Sequence, residues 1–427
     1  MKKNFVYSLL FLFLTSQAFS QPDHSMVMTN HVRPMGPKDC GEMEVWDFSM
    51  AMCMPLAMKG MPMQMVMFQY NSFLTQTYIE GPRGRDAFSI PNMFMVDVGS
   101  SVADAHYINL DFMGTFEKWS YPNSGYPELL QIGEENDNHI KYLDAQHPHS
   151  SPIMGLTLSD TITLGNNKDH LKIWLAPRGQ STDGPIAFMH RPTGMVNPDA
   201  PLGHHIGQDV GHISSTVLGA ALHLSGSTFE ISTFNGREPE PTKVDLPINR
   251  PNSYAARLIH QFNSQFYAMV SAAYVKEPEP HEPGLDHVWR YSASFYNDLQ
   301  FDNGWMLHNA FIYGLINHLD HTGALNSFAE EFWFHQDRKN IWGRIEYLQR
   351  TAQQLQIASL TPDQPEYVTA ITLGYSYSFY RCDWGDVKAG VSMTKVILNS
   401  EYKSVYGKDP VSGKVFIQIG GMKMWDF

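Results

Sequence analysis

Most of the chain after residue 62 alternates between apolar and polar positions with a period of two. In residues 367–379, for example, Ile371 and Leu373 share one face of an extended chain, whereas Thr372 and Ser376 share the other. Successive side chains of a β-strand point to opposite sides of the sheet. This alternation therefore predicts a strand with one apolar face and one polar face.

The same pattern predicts sixteen strands, with about 14 or 18 as the alternative counts. Most candidates have the length of roughly ten residues that a tilted strand needs to cross a membrane. Two of them are less regular, because Asn309 and Glu330 fall on faces that should be apolar. The predicted strands are residues 63–77, 89–101, 106–117, 153–165, 170–179, 211–226, 227–236, 253–263, 265–277, 287–300, 304–317, 326–337, 340–351, 366–381, 383–398 and 414–427.

The connections between these strands alternate in length. Those after the second and fourth strands are residues 102–105 and 166–169, whereas those after the third and fifth are residues 118–152 and 180–210. Transmembrane barrels have short turns at one rim, long loops at the other and an even number of strands. A soluble β-sandwich has no reason to alternate its loops in this way. The predicted fold class is all-β, a transmembrane antiparallel β-barrel.

The end of the chain carries a second signal. Val415, Ile417, Ile419 and Trp425 share one face of the last strand, and the final residue is Phe427. This stretch resembles the C-terminal signal of Gram-negative outer-membrane β-barrels, which the barrel assembly machinery reads. The resemblance implies that machinery and outer-membrane lipid as partners. The alternative is a free amphipathic terminus on a soluble domain.

The beginning of the chain is typical of an exported protein. Two lysines precede an apolar run at residues 5–14, and Ala18 and Ser20 favour cleavage before Gln21. The run is too short for a transmembrane helix, and an even strand count would place both barrel termini in the periplasm. The predicted parts are a signal peptide at residues 1–20, a periplasmic Met/His/Cys-rich extension or plug at residues 21–62 and the outer-membrane barrel at residues 63–427.

Composition narrows the possible functions. Aromatic residues make up 13% of the chain and charged residues 17%, which suits strands with interfacial aromatic girdles. The formal charge of −13 argues against nucleic acid as a partner. No G-x-S-x-G nucleophile elbow or comparable motif occurs, so we predict that the protein is not an enzyme.

The predicted extension is rich in methionine. Residues 21–62 hold nine methionines among 42 residues, and prolines interrupt any helical or strand period. Thioether sulfurs are soft ligands that suit Cu(I), and Ag(I) by the same softness. The alternative is that these flexible side chains only pack, as a plug or a partner surface.

The segment also contains two of the three cysteines. Export permits a disulfide between Cys40 and Cys53, which would leave Cys382 in a short turn. A bridge from Cys382 to the N-terminal segment is the competing arrangement, since that turn also faces the periplasm.

Strand parity extends the methionine pattern into the barrel. If Val66 and Phe68 face lipid, Met65 and Met67 face the lumen. Barrel closure would bring the last strand, with its own inward methionines, beside the first. The candidate soft-metal ligands are Met26, Met28, Met50, Met52, Met54, Met63, Met65, Met67, Met422, Met424, His24 and His31.

A histidine-rich loop follows the fifth predicted strand. It contains His190, His204, His205, His212 and Asp209. Imidazole and carboxylate groups could hold Cu(II), Zn(II) or Ni(II), but no spacing here matches a strong metal signature. The favoured interpretation is an extracellular loop that folds inward and narrows the pore.

Two stretches carry a more specific resemblance. PIAFMHRPTGMVNPDAPLGHH at residues 185–205 and STFNGREPEP at residues 232–241 resemble a group of uncharacterised outer-membrane proteins. Genes of that group often accompany copper and other heavy-metal resistance systems. The resemblance implies a link to metal handling, and it supplies no ligand residues. The general likeness to porins covers residues 63–427 and is architectural.

The sequence therefore supports a porin-like channel linked to copper or silver handling. Copper ions or a periplasmic metal-handling protein would be its partners, and the pattern is compatible with a homotrimer. The alternatives are a general or specific-solute porin with no metal role, and a non-conducting structural barrel.

Overall fold

The computed structural model describes residues 36–57, 60, 63–135, 141–149, 152–165, 168–241, 243–278, 286–318, 323–362 and 364–426. The predicted signal peptide, the candidate ligands His24, Met26, Met28 and His31, and the terminal Phe427 lie outside these residues. Within the described ranges, no helix is long and apolar enough to cross a membrane.

Sixteen antiparallel strands form a closed barrel, as the alternating pattern predicts. The last strand pairs with the first and completes the closure. The strands of the chain are β1 (Glu44–Asp47), β2 (Met52–Pro55), β3 (Gln64–Ile79), β4 (Ala87–Ser89), β5 (Asn92–Ala103), β6 (His106–Gly114), β7 (Tyr126–Glu135), β8 (Lys141–Gln146), β9 (Ile153–Thr163), β10 (His170–Gly179), β11 (Ser214–Leu224), β12 (Ser227–Asn235), β13 (Ser253–Gln261), β14 (Phe266–Lys276), β15 (His287–Gln300), β16 (Met306–His318), β17 (Gly323–Gln336), β18 (Lys339–Thr351), β19 (Pro365–Cys382), β20 (Gly385–Ile397) and β21 (Val411–Asp426).

Five further strands of the described residues lie outside the sixteen. β1 and β2 form a hairpin, β7 and β8 form a second small sheet, and β4 pairs briefly with β3. The short helices are α1 (Glu117–Ser120) and α2 (Ser400–Tyr406), with single helical turns at Pro37–Asp39, His204–Gln208 and Val210–His212.

The two rims of the barrel differ. Residues 104–105 and 337–338 are tight turns at one rim, which we call the short-turn end. Residues 115–152 and 180–213 are long connections at the other rim, the long-loop end. Because β3 begins opposite the end of β5, the chain enters the barrel from the short-turn end.

The two faces of each strand also differ. Leu218, Leu373 and Val415 point outward and are each at least 50% exposed. Met67 and Arg344 point inward and are buried. The outer surface is therefore a broad apolar band around a mixed, largely filled interior, which is the inverse of a soluble protein.

The structure adds two small sheets that the sequence pattern did not predict. Residues 21–62 show no persistent strand period, yet residues 44–55 form the β1–β2 hairpin. The long loop after β6 contains α1 and the β7–β8 sheet. In both places tertiary packing compensates for a weak local pattern, because the hairpins lie against other parts of the barrel.

Candidate functional site

The β1–β2 hairpin lies inside the barrel. We call residues 36–57 the plug. Trp46 and Phe48 are buried in one cluster with Tyr267 and Met269 of β14. The rings of Phe48 and Tyr267 meet edge to face, with centroids 5.2 Å apart. Aromatic burial of this kind is a major contribution to docking of the plug.

Polar contacts also connect the plug to the wall. Asp47 forms an ion pair with Lys172 of β10. Arg257 Nη2 donates to Ser49 Oγ at 2.7 Å. Burial alone would raise the pKa of Asp47, but Lys172 and the backbone N–H groups of Ser49 and Met50 lower it below its ordinary value. The carboxylate is therefore charged and paired.

A disulfide closes the plug on itself. Cys40 and Cys53 are bonded and lie 13 residues apart in sequence. Cys382 is exposed and forms no disulfide with the cysteines that the structure describes. The cross-link restricts the conformations that the hairpin can adopt.

Seven methionines meet where the plug touches the wall, and we call them the lower methionine group. Met65 and Met67 come from β3 and are buried, and Met424 of β21 lies directly opposite Met67 in the sheet. The members are Met50, Met52, Met54, Met65, Met67, Met422 and Met424. Met63 precedes β3 and lies outside this group. The structure thus brings together seven of the predicted candidate ligands.

A second set of methionines lies towards the long-loop end, and we call it the upper methionine group. Its buried members are Met93, Met95, Met113, Met154 and Met189. Met50 of the plug packs against this group as well as against the lower one. Sulfur atoms therefore follow one side of the interior through much of the barrel.

The sequence analysis did not single out the upper group. The signal was nevertheless available, because Met93 and Met95 alternate with Phe94 and Val96 in β5. The parity argument used for the first strand would have placed both methionines on the lumen side. Met189 could not have been found this way, since it lies in an irregular loop.

Residues 180–213 fold into the barrel from the opposite end, and we call them the inner loop. Arg191 donates from Nε and Nη2 to the two carboxylate oxygens of Glu331 at 3.0 and 2.8 Å. Both side chains are buried. Gly207 adopts a φ of +67°, and a Cβ there would lie 2.8 Å from the backbone N of Leu315. The inward folding that the sequence analysis favoured for this loop is observed.

Five histidines cluster where the inner loop meets two neighbouring connections. His147 and His149 belong to the connection after β6, and His204, His205 and His212 belong to the inner loop. The ring centroids of His204 and His212 are 5.1 Å apart, and those of His149 and His212 are 5.3 Å apart. Two acidic groups complete the cluster, Asp209 and Glu238.

Burial disfavours the protonated form of three of these five histidines. Burial, reinforced by neighbouring histidines, holds the pKa of His147, His205 and His212 well below the ordinary value. Burial acts to raise the pKa of Asp209, but His204, His212 and Arg191 outweigh it and lower that pKa. The cluster therefore combines the three imidazoles of His147, His205 and His212, whose protonation is disfavoured, with the ionised carboxylate of Asp209, and this donor set suits a metal cation.

Cavities lie beside these groups. One cavity is lined by Met93, Met154 and Met189 and also by His149. A larger cavity is lined by Met50, Met54 and Met113. The upper methionine group lies between these two cavities. From the long-loop end towards the short-turn end, the interior is therefore lined first by imidazole groups and then by thioether groups.

Comparison with solved structures identifies the fold. The anion-selective porin from Comamonas acidovorans superposes with a TM-score of 0.52 and 10% identity, covering 84% of this chain and 99% of that one. Salmonella typhi OmpF in complex with daunomycin superposes with a TM-score of 0.52 and 9% identity, covering 83% and 97%. The chain therefore has the fold of the sixteen-stranded porins.

Comparison at the sequence level gives no relative. No protein-family model and no curated protein sequence matches the chain. At 10% identity the structural likeness shows the fold alone, so the function has to be argued from the residues inside the barrel.

Proposed function

We propose that the protein is an outer-membrane barrel that handles soft monovalent metal ions, Cu(I) or Ag(I), and binds them at the lower methionine group. The observation that carries this proposal is the convergence of seven thioethers at the junction of plug and wall. Thioethers are neutral, soft donors that bind without releasing a proton, so such a site suits Cu(I) or Ag(I). Two to four of them within reach of one ion would suffice.

The membrane location is supported by the outer surface of the barrel. Outward-facing leucine and valine side chains such as Leu218 and Val415 are about half exposed, an arrangement that is stable against lipid and costly against water. The predicted signal peptide at residues 1–20 and the porin fold agree with the outer membrane of a Gram-negative cell. We place the N-terminus and the short-turn end in the periplasm.

Residues 21–35 precede the plug in sequence. Met26, Met28, His24 and His31 would collect periplasmic ions and pass them to the lower group, or receive them from it. A periplasmic metal-handling protein is the expected partner on that side. The assembly machinery, outer-membrane lipid and two further copies of the chain are the other proposed partners.

The filled interior favours a selective path over a general porin. The plug and the inner loop both occupy the lumen, and buried contacts hold each of them. A general porin needs an open aqueous channel, which a barrel of this size provides only when its interior is empty. The presence of the plug in the lumen also favours a second candidate function, that of a non-conducting structural barrel.

A binding experiment tests the metal proposal. The purified full-length protein is titrated with Ag(I), which avoids the oxidation chemistry of Cu(I), and compared with the triple variant M65L/M67L/M424L. Leucine keeps the bulk and removes the sulfur, so each change should cost less than about 1.5 kcal/mol of stability. We expect the triple variant to lose high-affinity Ag(I) binding.

The matched control is M269L/M306L/M393L, which removes three methionines outside both methionine groups. It should bind Ag(I) as the native protein does. Unchanged Ag(I) affinity in the first triple variant would show that the sulfurs of Met65, Met67 and Met424 only pack. Planar-bilayer conductance of the native protein then separates a solute channel from a non-conducting barrel.

A further inference from the structure

Two carboxylates face each other on the inner wall of the barrel. Asp97 of β5 and Asp111 of β6 are direct partners in the antiparallel register, and both residues are buried. Side chains in such a pair have their Cβ atoms about 5 Å apart, and like charges placed directly opposite are destabilising. Two ionised carboxylates in this position therefore need a positive charge close by.

The lysine beside this pair is already engaged. Asp97, Asp111 and Lys172 line one cavity between the plug and the wall, but Lys172 forms its ion pair with Asp47 of the plug. In both Asp97 and Asp111, Oδ2 is buried and has no hydrogen-bond partner among the described residues. A buried charge without a partner is costly, so the arrangement favours a cation in the cavity.

A neutral oxygen in the same cavity also lacks a partner. Asn109 Nδ2 donates to Asp97 Oδ1 at 3.0 Å, which orients the amide group. Asn109 is 5% exposed, and its Oδ1 accepts no hydrogen bond from the described residues. A buried acceptor in this state is unfavourable unless something binds it. Oxygens of three side chains on two paired strands are thus available to one ligand.

Thioether groups border the same space. Met113 lies two residues from Asp111 on the same face of β6, and its direct partner in β5 is Met95. Gly155 lines the cavity opposite them. A Cβ at Gly155 would lie 3.9 Å from both Asp111 Oδ1 and Met113 Cε. A carboxylate and a thioether therefore converge on one position.

The plug borders the cavity on its other side. Met50 and Met54 line the cavity, and both belong to the lower methionine group. Met67 of that group is the direct partner of Asp97 in the sheet. The cavity with the two carboxylates therefore adjoins the lower methionine group.

We infer that this cavity holds a second site for a soft monovalent cation, Ag(I) or Cu(I), in which Met95 and Met113 supply sulfur and Asp97 and Asp111 supply negative charge. The carboxylates require a cation, and the thioethers select a soft one. An ion bound only by neutral thioethers keeps its full positive charge, which is costly in a buried site. The two carboxylates offset that cost.

This inference rests on the proposed function and extends it. The second site has fewer thioethers than the lower methionine group, so it should bind Ag(I) less tightly. Because Met67 and Asp97 are neighbours in the sheet, an ion can pass from one site to the other inside the barrel. The two sites nevertheless depend on different residues, and each can be removed alone.

Calorimetric titration of the purified full-length protein with Ag(I) tests the inference. The native protein should take up at least two equivalents, a tighter one at the lower methionine group and a weaker one in the cavity. D97N/D111N keeps the shape and removes both charges, so affinity for the weaker equivalent should fall about 10- to 100-fold. M95L/M113L should bind one equivalent fewer than the native protein. Both variants should keep the tighter equivalent.

D104N/D302N is the matched control, because it removes two exposed carboxylates, and it should bind Ag(I) as the native protein does. M65L/M67L/M424L should lose the tighter equivalent and keep the weaker one, so the proposed function and this inference fail separately. Unchanged binding by folded D97N/D111N or M95L/M113L overturns the inference. If the variants fail to fold, the native protein still decides, since uptake of a single equivalent also overturns it.

Discussion

The plug and the inner loop fill the same lumen from opposite ends, but different forces hold them. The plug docks mainly through apolar and sulfur contacts, as Trp46, Phe48 and Met52 show. The inner loop is anchored by buried charged groups, above all the pair of Arg191 and Glu331. The plug joins the barrel at one end only, whereas the inner loop is connected to strands at both ends.

This difference suggests which element can move. Apolar contacts are non-directional and tolerate sliding. A buried ion pair requires one geometry, and its loss leaves an uncompensated charge in the interior. We therefore expect the plug to be the movable element and the inner loop to be a fixed constriction.

The largest effect should come from removing the plug. A variant that lacks residues 21–62 but keeps the signal peptide should still form the barrel, because the sixteen strands lie outside the deleted part. Planar-bilayer conductance should rise strongly relative to the full chain. Equal conductance would show that the inner loop alone closes the lumen.

Breaking the anchor of the inner loop should have the next largest effect. E331Q removes the closer of the two carboxylates beside Arg191 and leaves only Asp209, at 3.7 Å, which should lower the free energy of unfolding by about 3–5 kcal/mol. Denaturant titration of the folded protein measures this loss. R381Q, which disrupts an exposed pair with Asp337, is the control and should cost less than about 1 kcal/mol.

Loss of the disulfide should affect the plug alone. In C40A/C53A the closed loop of about a dozen residues opens, and the plug should lose about 3 kcal/mol of conformational stabilisation. Amide hydrogen exchange should then quicken in residues 44–55 while exchange in β14 stays slow. Faster exchange throughout the barrel would mean that the plug contributes to global stability.

The smallest effect on stability should follow from M52L. Met52 is buried in the lower methionine group, and leucine fills nearly the same volume, so the cost should be less than about 1.5 kcal/mol. The stability of the inner loop should not change. A loss comparable to that of E331Q would contradict the view that the plug is held by interchangeable apolar contacts.

The sequence by itself determined the barrel. Alternation with a period of two is a local property of an extended chain. It is visible in the sequence because one face of each strand meets lipid and the other face meets a polar interior. The lengths of the turns then specified the strand count and the two rims. The same parity placed Met65, Met67 and Met424 on the inner face, because a shift of one residue would reverse every side chain.

Only the tertiary structure decided what fills the barrel. Residues 21–62 lack any persistent period, so the docking of Phe48 against Tyr267 could not be predicted from them. The approach of His149 to His212 depends on two loops that long strands separate. Such convergence rests on contacts between residues far apart in the chain, and a local pattern carries no information about which of them will meet.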